Sequence, residues 1–162
     1  MRTQKLFDVF FGIIAFLCKA MIMLQVVCVT IVVVGRYVFN VTPAWGEELT
    51  LFCLVWMSLL GAGLALRDGS HLRITMFDNL MPKKMISVLD VLADIIVVCF
   101  AVAIFWYGIA MTKQVSRSIL YGMHISKGYL YAAVPTAAAV FLIAEIERIL
   151  KWFSARKERE AK

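Results

Sequence analysis

Three sets of polar residues have types and spacings that could support chemistry. The first lies in GRYVFNVTPAWGEEL, residues 35–49, where Arg36, Glu47 and Glu48 separate two apolar runs. Two adjacent carboxylates near a guanidinium suggest an acid–base pair, a cation site or a clamp between helices. The second is Lys19, Asp90 and Asp94, charges placed inside apolar runs. Ionisable residues in such positions can form proton relays. The third is the two histidines, His71 and His124, the minimum for a haem held by two imidazoles.

Geometry argues against each of these chemistries. Neighbouring residues on a helix diverge by about 100°, so Glu47 and Glu48 do not converge on one small ligand. Carboxylates at a helix start are favoured by the helix dipole, and Arg36 can donate several bonds to one of them. The corner-clamp reading is therefore preferred, with the choice between Glu47 and Glu48 open. One lysine and two aspartates do not define a proton path across a protein. The histidines fall in loops on opposite sides of the expected membrane, where they cannot share a haem. Cys18, Cys28, Cys53 and Cys99 form no CxxC pair and all lie in apolar runs, as small buried hydrophobes do. No phosphate loop, HExxH or Ser-His-Asp spacing occurs. The expectation is a protein that is not an enzyme, with no catalytic residue, metal or cofactor of its own.

The elements that position these residues follow from composition. The 162-residue chain is 62% hydrophobic and 17% charged, and the hydrophobics come in blocks. A helix needs about 20 apolar residues to cross about 30 Å of hydrocarbon. Four stretches qualify, at about 9–34, 44–66, 85–111 and 128–150. Lipid-exposed backbone must satisfy its own hydrogen bonds, so these are helices. The fold class is an all-α membrane protein, one four-helix domain over 1–162. The N-terminus has the basic start and apolar run of a signal peptide, but without a small-x-small cleavage site it reads as a retained first span. Thr42 and Pro43 suit the cap and first position of the second span. Pro135 should kink the fourth. Ser58/Ala62 and Gly61/Ala65 form small-xxx-small patterns that permit close helix contact.

The net charge of +6 does not point to nucleic acid, because the basic residues flank apolar blocks rather than forming a stripe. With both termini inside, twelve of the 17 lysines and arginines lie on the cytoplasmic side and four outside, with Lys19 in a span. That bias supports an N-in, C-in multi-pass topology. In the cytoplasmic loop, Leu72, Met76, Phe77 and Leu80 share one helical face, so the spacing predicts a short interfacial helix at about 70–81. Lys19 and Asp94 each lie about 14–15 Å above the cytoplasmic end of their spans at about 1.5 Å per residue. An unpaired charge there is costly, so Lys19 is expected to pair with Asp94, with Asp90 one turn below. Trp45, Trp56, Trp106 and Trp152 supply aromatic anchors, although Trp56 is deep enough to need a helix to pack on.

A set of motifs in strict order resembles a known family. Arg36-x-x-Phe39 is followed by Trp45-x-Glu47-Glu48, by Trp56, by Arg67-x-Gly69-x-His71 and by a late Ala-Val-Pro at Val134 and Pro135. This pattern resembles the small membrane subunit, the DctQ family, of tripartite ATP-independent periplasmic (TRAP) transporters. One departure is HISKGYLY before the fourth span, where the family often has a proline. The resemblance implies a scaffold in the bacterial inner membrane, in contact with lipids and with no nucleic-acid partner. It implies pairing with a large membrane subunit that carries sodium ions and an organic acid by an elevator motion. It also implies a periplasmic substrate-binding protein, delivering for instance a sialic acid or a dicarboxylate. Lys113, Arg117 and Lys127, on the expected outer side, are candidates for docking that protein. The absence of inverted repeats and discontinuous helices agrees with a subunit that holds no substrate. The alternatives are a self-sufficient small oligomeric transporter or channel, and a membrane redox subunit.

Overall fold

A computed structural model describes residues 2–68 and 83–160, with side-chain surroundings for 4–68 and 92–150. The interfacial segment expected at 70–81, with His71, lies outside the described residues, as do the side chains of Asp90 and Trp152. The order of elements is α1 (Arg2–Val38), α2 (Ala44–Asp68), α3 (Lys83–Val115), β1 (Ile119–Leu120), β2 (Ile125–Ser126), α4 (Gly128–Tyr131) and α5 (Ala133–Glu160). Four helical stretches are long and apolar enough to cross a membrane, namely Gln4–Val38, Ala44–Asp68, Leu92–Val115 and Gly128–Leu150.

The long helices form an open row. α1 packs on α2, α2 on α5, and α5 on α3, leaving α1 and α3 outermost. α1 shows how sequence sets this contact. Phe11, Ile14, Cys18, Met21, Gln25, Cys28 and Val32 are among its buried or half-buried positions. They alternate by three and four residues, the spacing of a left-handed packing seam. α5 occupies the middle of the row, and its small residues Ala133, Ala137, Ala138 and Ala144 are buried. Small side chains let helices approach where lipid supplies no hydrophobic drive. Phe11, Ile14 and Cys18 of α1 meet Leu60 of α2 and Val140 and Ala144 of α5 in one cluster.

Closest approach between α2 and α5 uses a glycine that the small-residue patterns do not include. A Cβ on Gly63 would sit 2.6 Å from Val140 Cγ1, whereas one on Gly61 would meet nothing within 4 Å. Ser58, Ala62 and Ala65 are exposed. The small-xxx-small register is therefore one face away from the contact.

The chain turns sharply between elements. Asn40, at φ 52°, ends α1 in the left-handed region, and the Val41 N–H returns to the Gly35 carbonyl at 3.0 Å. Pro43 stands just before α2, its carbonyl accepting the Gly46 N–H at 3.0 Å. Pro135 coincides with a break in the fourth span, which is interrupted at Ala132 between α4 and α5. It lies in the first turn of α5, where its missing N–H leaves no lost bond, and the chain restarts at Ala132 after the short α4.

Candidate functional site

Polar side chains gather at the two ends of the row. At the end that carries both termini, α2 finishes with Arg67, a half-buried residue on the helix face turned to α1 and α5. Its Nε donates to Glu147 Oε2 at 2.8 Å and its Nη2 to Glu147 Oε1 at 2.9 Å, a two-pronged charge-assisted pair. Nη2 also bonds Asp8 of α1. The guanidinium carbon lies 4.5 Å from the centre of the Phe11 ring, within cation–π range. One arginine thus joins three helices.

The second half of this ladder starts at Arg148 on α5. It bonds Asp94 of α3, and its Nη1 lies 3.5 Å from Glu145 Oε1. Among the described residues, Glu145 and Glu147 are the two buried acidic ones, 1% and 2% exposed. Together, Asp8, Arg67, Glu147, Glu145, Arg148 and Asp94 cross-link all four long helices at one level.

Asp94 therefore takes Arg148, not Lys19. The expected pair fails in both depth and topology: Asp94 lies at the level of Asp8 and Arg67, well below Lys19 on α1, and α1 and α3 are the two edges of the row. Lys19 is exposed on α1, and among the described residues none forms an ion pair with it.

At the opposite end, the connection between α3 and α4 folds into a small hairpin. β1 and β2 pair antiparallel, Ile119 with Ser126 and Leu120 with Ile125. His124 turns the chain at φ 56°, and its N–H bonds the Leu120 carbonyl at 2.8 Å. Glu48 Oε2 accepts the N–H groups of Gly122 and Met123, both at 2.9 Å. A Cβ on Gly122 would come within 2.6 Å of the Ala44 carbonyl carbon, so glycine lets the hairpin tip lie against the start of α2. Trp56, deep in α2, donates its Nε1–H to the Tyr129 carbonyl at 3.2 Å.

The corner clamp is corrected accordingly. Glu48 closes on backbone N–H groups of the hairpin, while Arg36 and Glu47 are exposed and neither pairs with a described residue. The hundred-degree divergence of Glu47 and Glu48 separates their roles, as the sequence requires. Trp45 is 42% exposed at the same end. Lys113 and Arg117 are exposed and Lys127 is half-buried, with its N–H bonded to the Ser118 carbonyl at 2.8 Å. Among the described residues, no three His, Cys, Asp or Glu side chains gather as metal ligands.

Asp8, Glu145, Glu147 and Arg148 had no role in the sequence reading. A signal for Glu147 was present. Val140, Ala144 and Glu147 keep the four–three spacing of a packed seam, and a carboxylate on such a seam requires a cation at its level.

These observations define a class: an integral membrane protein of four spanning helices, with polar groups that bind its helices to one another at both ends. The chain belongs to the DctQ family, described as the DctQ component of tripartite ATP-independent periplasmic transporters, which matches residues 25–155. It is similar to the sialic acid TRAP transporter small permease protein SiaQ of Vibrio cholerae, 25% identical over 70% of this chain and 66% of that one. It is also similar to the sialic acid TRAP transporter permease protein SiaT of Haemophilus influenzae, 27% identical over 71% of this chain but only 19% of that protein. A putative TRAP transporter small permease protein of Haemophilus influenzae is 26% identical over 86% of this chain and 90% of its own length. The chain thus spans a fifth to two thirds of the two sialic acid relatives. The family is one of transport proteins.

Proposed function

We propose that this protein is the stationary small subunit of a TRAP-type secondary transporter for organic acids, sialic acid being one candidate. It fixes a large membrane subunit in the bilayer, and that subunit carries the sodium ions and the substrate and moves as an elevator. The observation that carries this reading is the use made of the charged side chains. Arg67 and Arg148 bind carboxylates of neighbouring helices, and Glu48 binds the hairpin, so these groups rigidify the body. The SiaT similarity supports pairing, because a segment like this chain forms one fifth of a longer permease there.

The hairpin end, with exposed Lys113 and Arg117 and half-buried Lys127, faces the periplasm in the N-in, C-in topology and meets the substrate-binding protein. Reconstitution tests the reading. Sodium-driven uptake of the acid into liposomes should require this chain, the large subunit and the binding protein together. Uptake by this chain alone would overturn it in favour of a self-sufficient oligomer. Changing Lys113, Arg117 and Lys127 to Gln should raise the binding-protein concentration needed for half-maximal uptake, and an unchanged value removes the docking role.

A further inference from the structure

α1 carries a second packing seam that nothing in the described structure covers. Gly12, Phe16, Lys19, Met23, Val26 and Thr30 repeat at four–three spacing, one or two residues on from the seam buried against α2. All six are exposed, Phe16 and Met23 at 70% and 71%. A Cβ on Gly12 would meet nothing within 4 Å, which leaves room for another backbone. Such spacing suits a helix, and an apolar helix face in lipid needs no cover. The lysine in its middle is what demands one.

The depth of Lys19 is fixed by its neighbour. Cys18 Sγ lies 4.0 Å from the Met57 carbonyl oxygen, and Met57 stands near the middle of the 25-residue α2. The nearer end of α2 is then about 16 Å away at about 1.5 Å per residue. A four-carbon stem does not span that distance, so a lipid headgroup is a poor partner. The acidic groups of the ladder are held by Arg67 and Arg148 at the terminal end. A second copy packed two-fold on this face would bring two lysines together, since such an interface is self-complementary.

We infer that this α1 face docks a transmembrane helix of the large subunit, and that this helix presents a carboxylate to Lys19. The inference rests on the pairing proposed above and adds where and by what chemistry it occurs.

The test uses the assembled complex in detergent, with tagged small subunit and the large subunit of the same transporter. Lys19→Arg should retain the large subunit. Lys19→Met, which eases membrane insertion, should lower its recovery about tenfold or more by stranding the carboxylate. A photo-crosslinking residue at Met23 should label the large subunit, and one at Ile96 on α3 serves as the opposite-edge control. Full recovery with Lys19→Met overturns the inference, as does a Met23 crosslink to a second small subunit or to lipid alone. Failure of the wild-type chain to retain the large subunit overturns the pairing itself and this inference with it.

Discussion

Replacing Arg67 by Met tests whether the ladder holds the helices in place. Methionine keeps the length and removes the charge. Three contacts are lost, and the structure ranks them. Glu147 has a 3% exposed side chain and takes both prongs of the guanidinium, and removing one partner of a buried pair costs about 3–5 kcal/mol. The Asp8 side chain is 65% exposed, and pairs of that kind contribute about 0–1 kcal/mol. The Phe11 contact adds about 0.5–1 kcal/mol. Arg67→Met should therefore cost about 3.5–7 kcal/mol, most of it through Glu147. Asp8→Asn should cost less than about 1 kcal/mol. The double change Arg67→Met with Glu147→Met should recover most of the loss, since an apolar pair replaces a buried ionic one at little cost. Unfolding in mixed micelles of rising SDS fraction, followed by Trp fluorescence, measures all three. Equal losses for Asp8→Asn and Arg67→Met, or a double variant worse than either parent, would refute the reasoning.

At the other end, Glu48→Leu strands the Gly122 and Met123 N–H groups, at about 1–3 kcal/mol for each buried donor left unpaired. Hydrogen exchange at those two amides should accelerate, while Glu48→Gln, which keeps an acceptor oxygen, should change it little. Between α2 and α5, Gly63→Ala should destabilise by about 1–3 kcal/mol through its clash with Val140, and Val140→Ala should relieve part of that loss in the same micelle titration.

Length and hydropathy made the spans readable, because a membrane allows few alternatives to a helix of about 20 residues. The order of neighbours was not readable in the same way. Depth counted from the span ends put Lys19 and Asp94 at one level, whereas Asp94 lies in the terminal-end ladder and Lys19 near mid-span, and depth is in any case one coordinate where packing needs a second. The lateral order α1, α2, α5, α3 depends on which faces carry seams. Glu147, three residues past Ala144 on such a seam, pointed toward α2, and Arg67 was the cation available there. Glu48 or Glu47 was expected to clamp the first two helices through Arg36, but the partners of Glu48 are backbone N–H groups of a hairpin whose sequence, YGMH, gave no charge to match. Trp56 was expected to need a helix to pack on, and its indole N–H bonds the Tyr129 carbonyl at the start of the fourth span.

A row of four helices has no enclosed core, and this shapes what its polar groups must do. Lipid tails are as apolar as the side chains between the helices, so burial in a membrane gives little preference for one lateral arrangement over another. Packing at Gly63 and along the α1 seam sets distances locally. It does not prevent α1 or α3, each held along one side, from swinging about its neighbour. Ion pairs at one end and a carboxylate-capped hairpin at the other remove that freedom, because each is directional and each is costly to break away from water. The ladder joins α1, α2, α5 and α3 at one level, while Glu48 and Trp56 tie α2 to the hairpin and α4 at the far end. A helix row pinned at both ends resists twisting, as the stationary role proposed above would require. Lys19 stands outside both sets of ties, near mid-span on an edge helix, so the contact proposed for it would leave the ties at both ends intact.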